Sequence, residues 1–223
     1  ISKSFSSHRY DTGDYKTPDP MLGTMEDFKE MVQAAHDRGI KVILDGVYSH
    51  TGSNSLYFNK DNAFPGTDGA YQSEKSPYRN WYTFYNWPDS YHSWWNFETL
   101  PTVNKMHPDF IEYIITGEDS VIAHWLKAGA DGFRLDVADE LPDEFLKLLY
   151  DRVKEINPDA YVLGEVWEDA SNKTAHNVRR TYFTNAELDS VMNYPFRTAI
   201  INFIRGWDPG QGLKETVMSI VEN

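Results

Sequence analysis

The sequence predicts an α/β fold: a partial (β/α)8 TIM barrel interrupted by a long insertion. Three observations predict it. A helix stripe, a glycine or Asn-Pro break and a short β-branched run recur in that order along the 223 residues. Each run finishes in ionisable side chains, as barrel strands do at the reactive face. One long aromatic stretch interrupts the rhythm and is too long for an ordinary connection.

The first unit is "TMEDFKEMVQAAHDRGIKVILDGVYSH", residues 24–50. Thr24 stands where a helix cap belongs, acids fill the first turn, and Phe28, Met31, Val32 and Ala35 keep helical spacing. Gly39 stops the helix. The run Ile40 to Leu44 reads as a parallel strand buried on both faces, delivering Asp45, Tyr48 and His50 at its end. In "SVIAHWLKAGADGFRLDV" the stripe is Val121, Ile122, Trp125 and Leu126, Gly129 ends it, and the strand delivers Arg134 and Asp136. In the third unit Phe145, Leu148, Leu149, Val153 and Ile156 stripe a helix, Asn157-Pro158 breaks it, and a strand from Tyr161 ends at Glu165. A weaker fourth strand, "LDSVMNYPF", precedes a helix expected to start near Arg197. These units divide the chain into a barrel segment over 1–50, the insertion over 51–107 and a second barrel segment over 108–223. A doubly wound sheet would also place ligands at strand ends, but its G-x-G-x-x-G turn is missing.

The insertion is turns and rings: Tyr82, Phe84, Tyr85, Trp87, Tyr91, Trp94 and Trp95. Most are expected to form the insertion's own small core. A few are expected to line a sugar site, since flat rings pack on the C–H faces of pyranoses.

Composition excludes several functions. The net charge of −13 opposes nucleic acid and anionic membrane surfaces. No apolar stretch is long enough to span a bilayer, no signal peptide is present, and no cysteine is available for disulfides or thiolate metal sites. The opening "ISKSFSSHRY", without an initiator methionine, reads as part of a longer chain. The compartment stays open, with cytoplasm slightly favoured over export. Asn172-Lys173-Thr174 matches a glycosylation sequon, a pattern common by chance.

Arg134 and Asp136 lie two apart on one strand and therefore on one face. Alone they fit a structural ion pair as well as chemistry; Glu165 at a neighbouring strand end turns the reading toward chemistry. Two carboxylates on neighbouring strand ends can divide a reaction between them, one attacking as nucleophile and the other trading a proton. An arginine on the same face is expected to lower the attacker's pKa, and an apolar, crowded setting to which Trp167 contributes is expected to keep the proton donor neutral.

Here the motifs carry a family resemblance. "DGVYSH" (45–50), "GFRLDVADE" (132–140), "GEVW" (164–167) and "LPTVN" (100–104) resemble, in order, conserved regions of the α-amylase superfamily, glycoside hydrolase family 13. "HRYDTGDY" and "WWNF" resemble its neopullulanase and cyclomaltodextrinase group. The resemblance implies that the long segment is the family's domain B insertion after the third strand, and that the chain belongs to a retaining hydrolase of α-glucosidic bonds in starch-like glucans, maltodextrins or cyclodextrins. Such an enzyme needs one carboxylate to attack the anomeric carbon and a second, roughly 5–5.5 Å away, to protonate the leaving oxygen and then activate water. It implies Asp136 as nucleophile, Glu165 as general acid and base, and Arg134 as the group holding Asp136 ionised, with His8, Tyr10, Asp45, His50 and Trp167 binding substrate. A related transglycosylase shares all these residues, and a non-catalytic sugar-binding module is the reading from another class.

Departures from the family pattern matter too. Ser49 stands where many members carry the calcium-binding Asn, and Asp139-Glu140 replaces their Lys-His pair, so calcium at the barrel–insertion seam is doubtful and no metal or other cofactor is assigned. Asp61 and Asp68 do not have the spacing of an EF-hand loop, and a plain turn is the simpler reading. The fourth region, a His-Asp pair bringing a third carboxylate, is absent after Glu165. The chain alone is therefore expected to be inactive, and the parent enzyme a possible homodimer.

Overall fold

The computed structural model describes residues 4–205 and Met218; the part of the 108–223 segment beyond residue 205, Met218 excepted, lies outside the described residues. Thr24 caps α1 (Met25–His36) through a reciprocal box: its hydroxyl accepts from the Asp27 N–H, and the Asp27 carboxylate accepts from the Thr24 N–H. After Gly39, at φ +71°, β1 runs from Ile43 to Gly46. This corrects the expected strand: it starts at Ile43 rather than Ile40, and it is not buried on both faces, for Ile40 is 56% and Ile43 39% exposed. β1 is the outer strand of its sheet, so it has a strand partner on one side only among the described residues.

In the insertion β2 (Phe84–Asn86) pairs antiparallel with β3 (Ser90–Tyr91). Phe58 is the hub of the local core, with ring centroids 4.9 Å from Tyr82, 4.7 Å from Tyr91 and 5.8 Å from Phe84. Tyr82 and Tyr91 are thus core residues, whereas Tyr85 and Trp95 are exposed. Asn59 organises the turn at 60–69, its side chain bonding Phe64 and Thr67, while Asp61 accepts from Asn54 at 2.9 Å. The segment returns to the barrel through "LPTVN": His50 bridges Thr102, and the Thr51 N–H donates to the Pro101 carbonyl at 3.1 Å.

Then come α2 (Pro108–Ile111), a π-helical turn (Glu112–Thr116), α3 (Val121–Lys127), β4 (Gly132–Leu135), α4 (Asp143–Ile156) and β5 (Tyr161–Gly164). A hairpin of β6 (Thr174–Ala175) and β7 (Val178–Arg179) precedes β8 (Ser190–Val191) and α5 (Tyr194–Arg205). β1, β4, β5 and β8 form one parallel sheet in that order. Among the described residues no helix is long and apolar enough to cross a membrane. On α4 the inward set is Phe145, Leu146, Leu149 and Val153, with Leu148 turned outward. α5 starts at Tyr194, three residues before Arg197, because the Asn193 side chain accepts from the Phe196 N–H and Pro195 needs no N–H partner in a first turn.

Close packing of β4 on β5 demands a glycine. Gly132 sits at φ +149°, and a Cβ there would lie 2.0 Å from the Tyr161 carbonyl oxygen.

The strand N-terminal ends share one device. Asp131 accepts from the Val42 N–H (2.8 Å), Lys41 (2.9 Å) and His36 (2.7 Å), and Asp189 accepts from the Val162 N–H (2.8 Å) and Lys154 (2.8 Å). Each carboxylate accepts a backbone amide at the start of the neighbouring strand in sheet order, Val42 just before β1 and Val162 as the second residue of β5. Burial alone would push the Asp131 carboxyl up, but the bonds from Val42, His36 and Lys41 more than offset it and hold it below the ordinary aspartate value. A lowered folded-state pKa stabilises at pH above the unfolded value, and that stability is lost as pH falls through the folded value. Asp131→Asn is expected to cost about 1–3 kcal/mol at pH 7 in denaturant melts, with the difference from the parent shrinking below about pH 4.

Candidate active site

Parallel register assembles the site. Asp45 on β1 is the register partner of Arg134 on β4, and Leu135 partners Gly164, so the next residues out, Asp136 and Glu165, emerge side by side. Backbone bonds continue the ladder to this point, from Asp136 N–H to the Gly46 carbonyl and from Glu165 N–H to the Leu135 carbonyl. Arg134 is their common partner. Its Nη1 lies 2.7 Å from Asp45 Oδ1 and 2.7 Å from Asp136 Oδ1, and its Nη2 lies 3.0 Å from Glu165 Oε1.

Arg134, Asp136 and Glu165 edge an open cleft of about 440 Å³ lined also by His8, Tyr10, His50, Trp94 and Trp167. Every substrate-binding residue expected from the sequence therefore faces one cleft except Asp45, which reaches it through Arg134 and through the Tyr10 hydroxyl at 3.3 Å. His8 stacks on Tyr10 with ring centroids 6.2 Å apart. His50 is buried; its Nε2 lies 3.2 Å from the Tyr10 carbonyl, its Nδ1 2.8 Å from the Ser49 hydroxyl, and the Trp94 ring 5.5 Å away. Burial pushes His50 down to about 4, so at neutral pH it is an uncharged hydrogen-bonding group.

Electrostatics correct the expected proton inventory. Burial first, then the like charges of Asp45 and Glu165, push Asp136 up to about 6 against the pull of Arg134. For Glu165, burial acts upward, but the Val137 N–H (2.9 Å), then hydrogen bonds from Trp167 and Tyr194 and the charge of Arg134, more than offset it, and its carboxyl lies below the ordinary glutamate value. Arg134 lowers Asp136 as expected, but burial outweighs it, and Glu165 is held on the ionised side rather than kept neutral. One arginine is divided among three carboxylates and cannot hold all of them ionised, and Trp167 bonds to the carboxylate rather than walling it off.

Two contributors escape sequence reasoning. The Tyr194 hydroxyl donates to Glu165 Oε1 at 2.8 Å from the first turn of α5; the only signal was its place near the end of the weak fourth strand, "LDSVMNYPF". Val137, at φ +43° and ψ +60°, holds its amide on Glu165 Oε2. A β-branched residue in this left-handed region costs on the order of 1–3 kcal/mol, a strain that surrounding structure must hold in place.

At the barrel–insertion seam, the Ser49 hydroxyl is committed to His50, Asp139 pairs with Lys173 at 3.1 Å, and Glu140 lies 3.6 Å from His176. Among the described residues no three His, Asp or Glu side chains converge as metal ligands.

Comparison with known proteins agrees with this geometry. Residues 1–208 match the family described as "Alpha amylase, catalytic domain". The chain is 36% identical to an amylopullulanase of Thermoanaerobacterium thermosulfurigenes, over 100% of this chain and 13% of that protein. It is 37% identical to neopullulanase 2 of Thermoactinomyces vulgaris, over 91% of this chain and 32% of that one. The solved debranching enzyme of Nostoc punctiforme superposes with a TM-score of 0.79 at 35% identity, covering 100% of this chain and 46% of its own. The chain thus spans about a third or less of the length of these curated relatives. With strand-end carboxylates on a shared arginine, and a family match that runs from residue 1 to residue 208, the chain belongs to the alpha-amylase family and lies within its catalytic domain.

Proposed function

We propose that this chain carries the reaction centre of an enzyme that hydrolyses α-glucosidic bonds in starch-like glucans with retention, by double displacement. The observation that carries the reading is the placement of Asp136 and Glu165 on one guanidinium at the mouth of an aromatic-walled cleft. The relatives' names, amylopullulanase and neopullulanase, support the substrate class.

In this reading Asp136 attacks the anomeric carbon while Glu165 gives its proton to the departing glycosidic oxygen. Glu165 then takes a proton from water, and the resulting hydroxide displaces Asp136. The productive enzyme holds one proton in the coupled pair. In the free site that proton rests on Asp136; a bound glucan whose glycosidic oxygen accepts from Glu165 draws it across. Tyr10, His8 and neutral His50 contact the sugar at the cleavage point, and exposed Trp167 and Trp95, with ring centroids 6.3 Å apart, offer faces to neighbouring units. Ser49 is committed to His50 and Glu140 faces His176, so a chelator is expected to leave the melting temperature of the full-length protein nearly unchanged. Products from maltotriose, resolved by thin-layer chromatography, separate hydrolysis (shorter sugars) from transglycosylation (longer sugars) and from binding alone (no change).

In the full-length protein, Asp136→Asn is expected to abolish turnover with substrate affinity kept within about tenfold. The raised pKa of Asp136 adds a second expectation. A carboxyl whose folded value exceeds its unfolded value loses stabilisation as pH rises through about 6. The Asn variant should therefore melt higher than the parent at pH 8, and its advantage should shrink toward pH 5. A lower melting temperature at pH 8 would contradict the crowded-carboxylate account.

Glu165→Gln is expected to spare much of the first step on a glycosyl fluoride while losing it on maltodextrin; equal loss on both would remove Glu165 from the acid role. Tyr194→Phe deletes a donor to the Glu165 carboxylate, so the alkaline limb of the kcat/KM profile should move to higher pH with little change in melting temperature.

A further inference from the structure

The turn between Asp136 and α4 is held from outside. Val137 is left-handed and β-branched where glycine or asparagine would be at ease. Its carbonyl accepts from the Glu140 N–H at 2.9 Å and the Ala138 carbonyl from the Leu141 N–H at 3.1 Å, so a single 3-10 turn links its conformation to residues 139–141. Those residues are gripped by Arg180, which follows β7 and is only 7% exposed. The Arg180 guanidinium donates to the carbonyls of Asp139 (3.2 Å) and Leu141, and its Nε lies 2.7 Å from Asp143 Oδ1, off the line of a hydrogen bond. Tyr182, two residues on, donates its hydroxyl to Asp139. A planar fork that meets two carbonyls and a carboxylate fixes several points of the 139–143 segment at once, which a lysine cannot do. None of these contacts touches the reacting carboxylates.

We propose that Arg180 is a positioning residue of the reaction centre: by clamping residues 139–143 it holds the left-handed turn through which Val137 keeps its amide on Glu165. The inference rests on the reading of Glu165 as general acid and base, and it gives the β5–β8 connection a role in that step. An N–H bonded to a carboxylate favours the ionised form. The clamp therefore favours Glu165 as the base that activates water and restrains it as the acid. The other groups facing Glu165 are Arg134 from β4, Asp136 just beyond it, Trp167 beyond β5 and Tyr194 from α5, with Asp45 of β1 on the shared guanidinium, whereas Arg180 contacts Asp139, Leu141, Asp143 and Tyr182.

The test uses the full-length protein with Arg180→Ala, Arg180→Lys and the double variant Arg180→Ala/Val137→Gly. For Arg180→Ala we expect the alkaline limb of kcat/KM to rise by about half a pH unit or more and kcat to fall by about tenfold or more, with KM little changed because the sugar contacts lie elsewhere. Arg180→Lys should fall between parent and Ala, and should carry the comparison should the Ala variant not fold. Glycine adopts the left-handed turn without a clamp, so Val137→Gly should restore most of the loss; a role confined to anchoring the hairpin would not be rescued this way. Titration of Glu165 by its carboxyl 13C resonance should move upward in Arg180→Ala and return in the double variant, independently of turnover. A folded Arg180→Ala or Arg180→Lys with unchanged limb and unchanged Glu165 titration overturns the proposal, as does a loss that Val137→Gly leaves untouched. Absence of turnover in the parent protein would instead sink the hydrolase reading, and the Glu165 titration would still decide the clamp.

Discussion

One guanidinium divided among three carboxylates is the constraint on which the rest of the site depends. Asp45, Asp136 and Glu165 all lie within 3.0 Å of Arg134 nitrogens, so the cluster carries two more negative than positive charges when fully ionised. In a partly desolvated cleft that excess is unfavourable, and the least costly relief is to bind a proton. The proton that Asp136 keeps up to about pH 6 is the one a two-carboxylate mechanism requires, and its position within the pair can respond to a ligand. The same crowding is a liability for the fold at higher pH, the usual cost of a reactive centre.

The sheet separates that liability from the parts that keep it standing. At the N-terminal ends of the strands, Asp131 and Asp189 each accept a backbone amide and a lysine, bonds that tie neighbouring strands together and reinforce the fold. At the C-terminal ends, a few residues away, carboxylates meet each other across one arginine. The strands between them are only four residues long in β1, β4 and β5, and Gly132 lets β4 approach β5 without a Cβ in the way. Rigid, short, register-locked strands hold like charges together where flexible loops would let them separate.

Around this frame the connections do the tuning. The insertion buries its own rings about Phe58 and presents Trp94 to His50. The β5–β8 connection reaches back through Arg180 to the turn after Asp136, and α5 contributes Tyr194. Each comes from a different stretch of chain, and each ends on the group that must gain and lose a proton, or on its neighbour.

The sequence by itself determined the repeating helix–strand order, the capped start of α1 at Thr24, the glycine stops, and the delivery of Asp45, Arg134, Asp136 and Glu165 to strand ends. All of these are local: caps, periodicity and two-residue alternation act over a few residues and leave a direct trace in composition. It also marked Tyr10, His8, His50 and Trp167, though through motif resemblance rather than through spacing. Only the tertiary structure decided the rest. Ile40 and Ile43 are exposed because β1 is an outer strand, and Leu146 replaces Leu148 in the core because packing, not periodicity alone, chooses the inward face. Which carboxyl is raised, the Val137 amide on Glu165, the Tyr194 hydroxyl and the Arg180 clamp depend on groups 28 to 89 residues apart in the chain meeting at hydrogen-bond distance. Proton affinities sum over every charge, dipole and unit of burial nearby, and no local pattern encodes that sum.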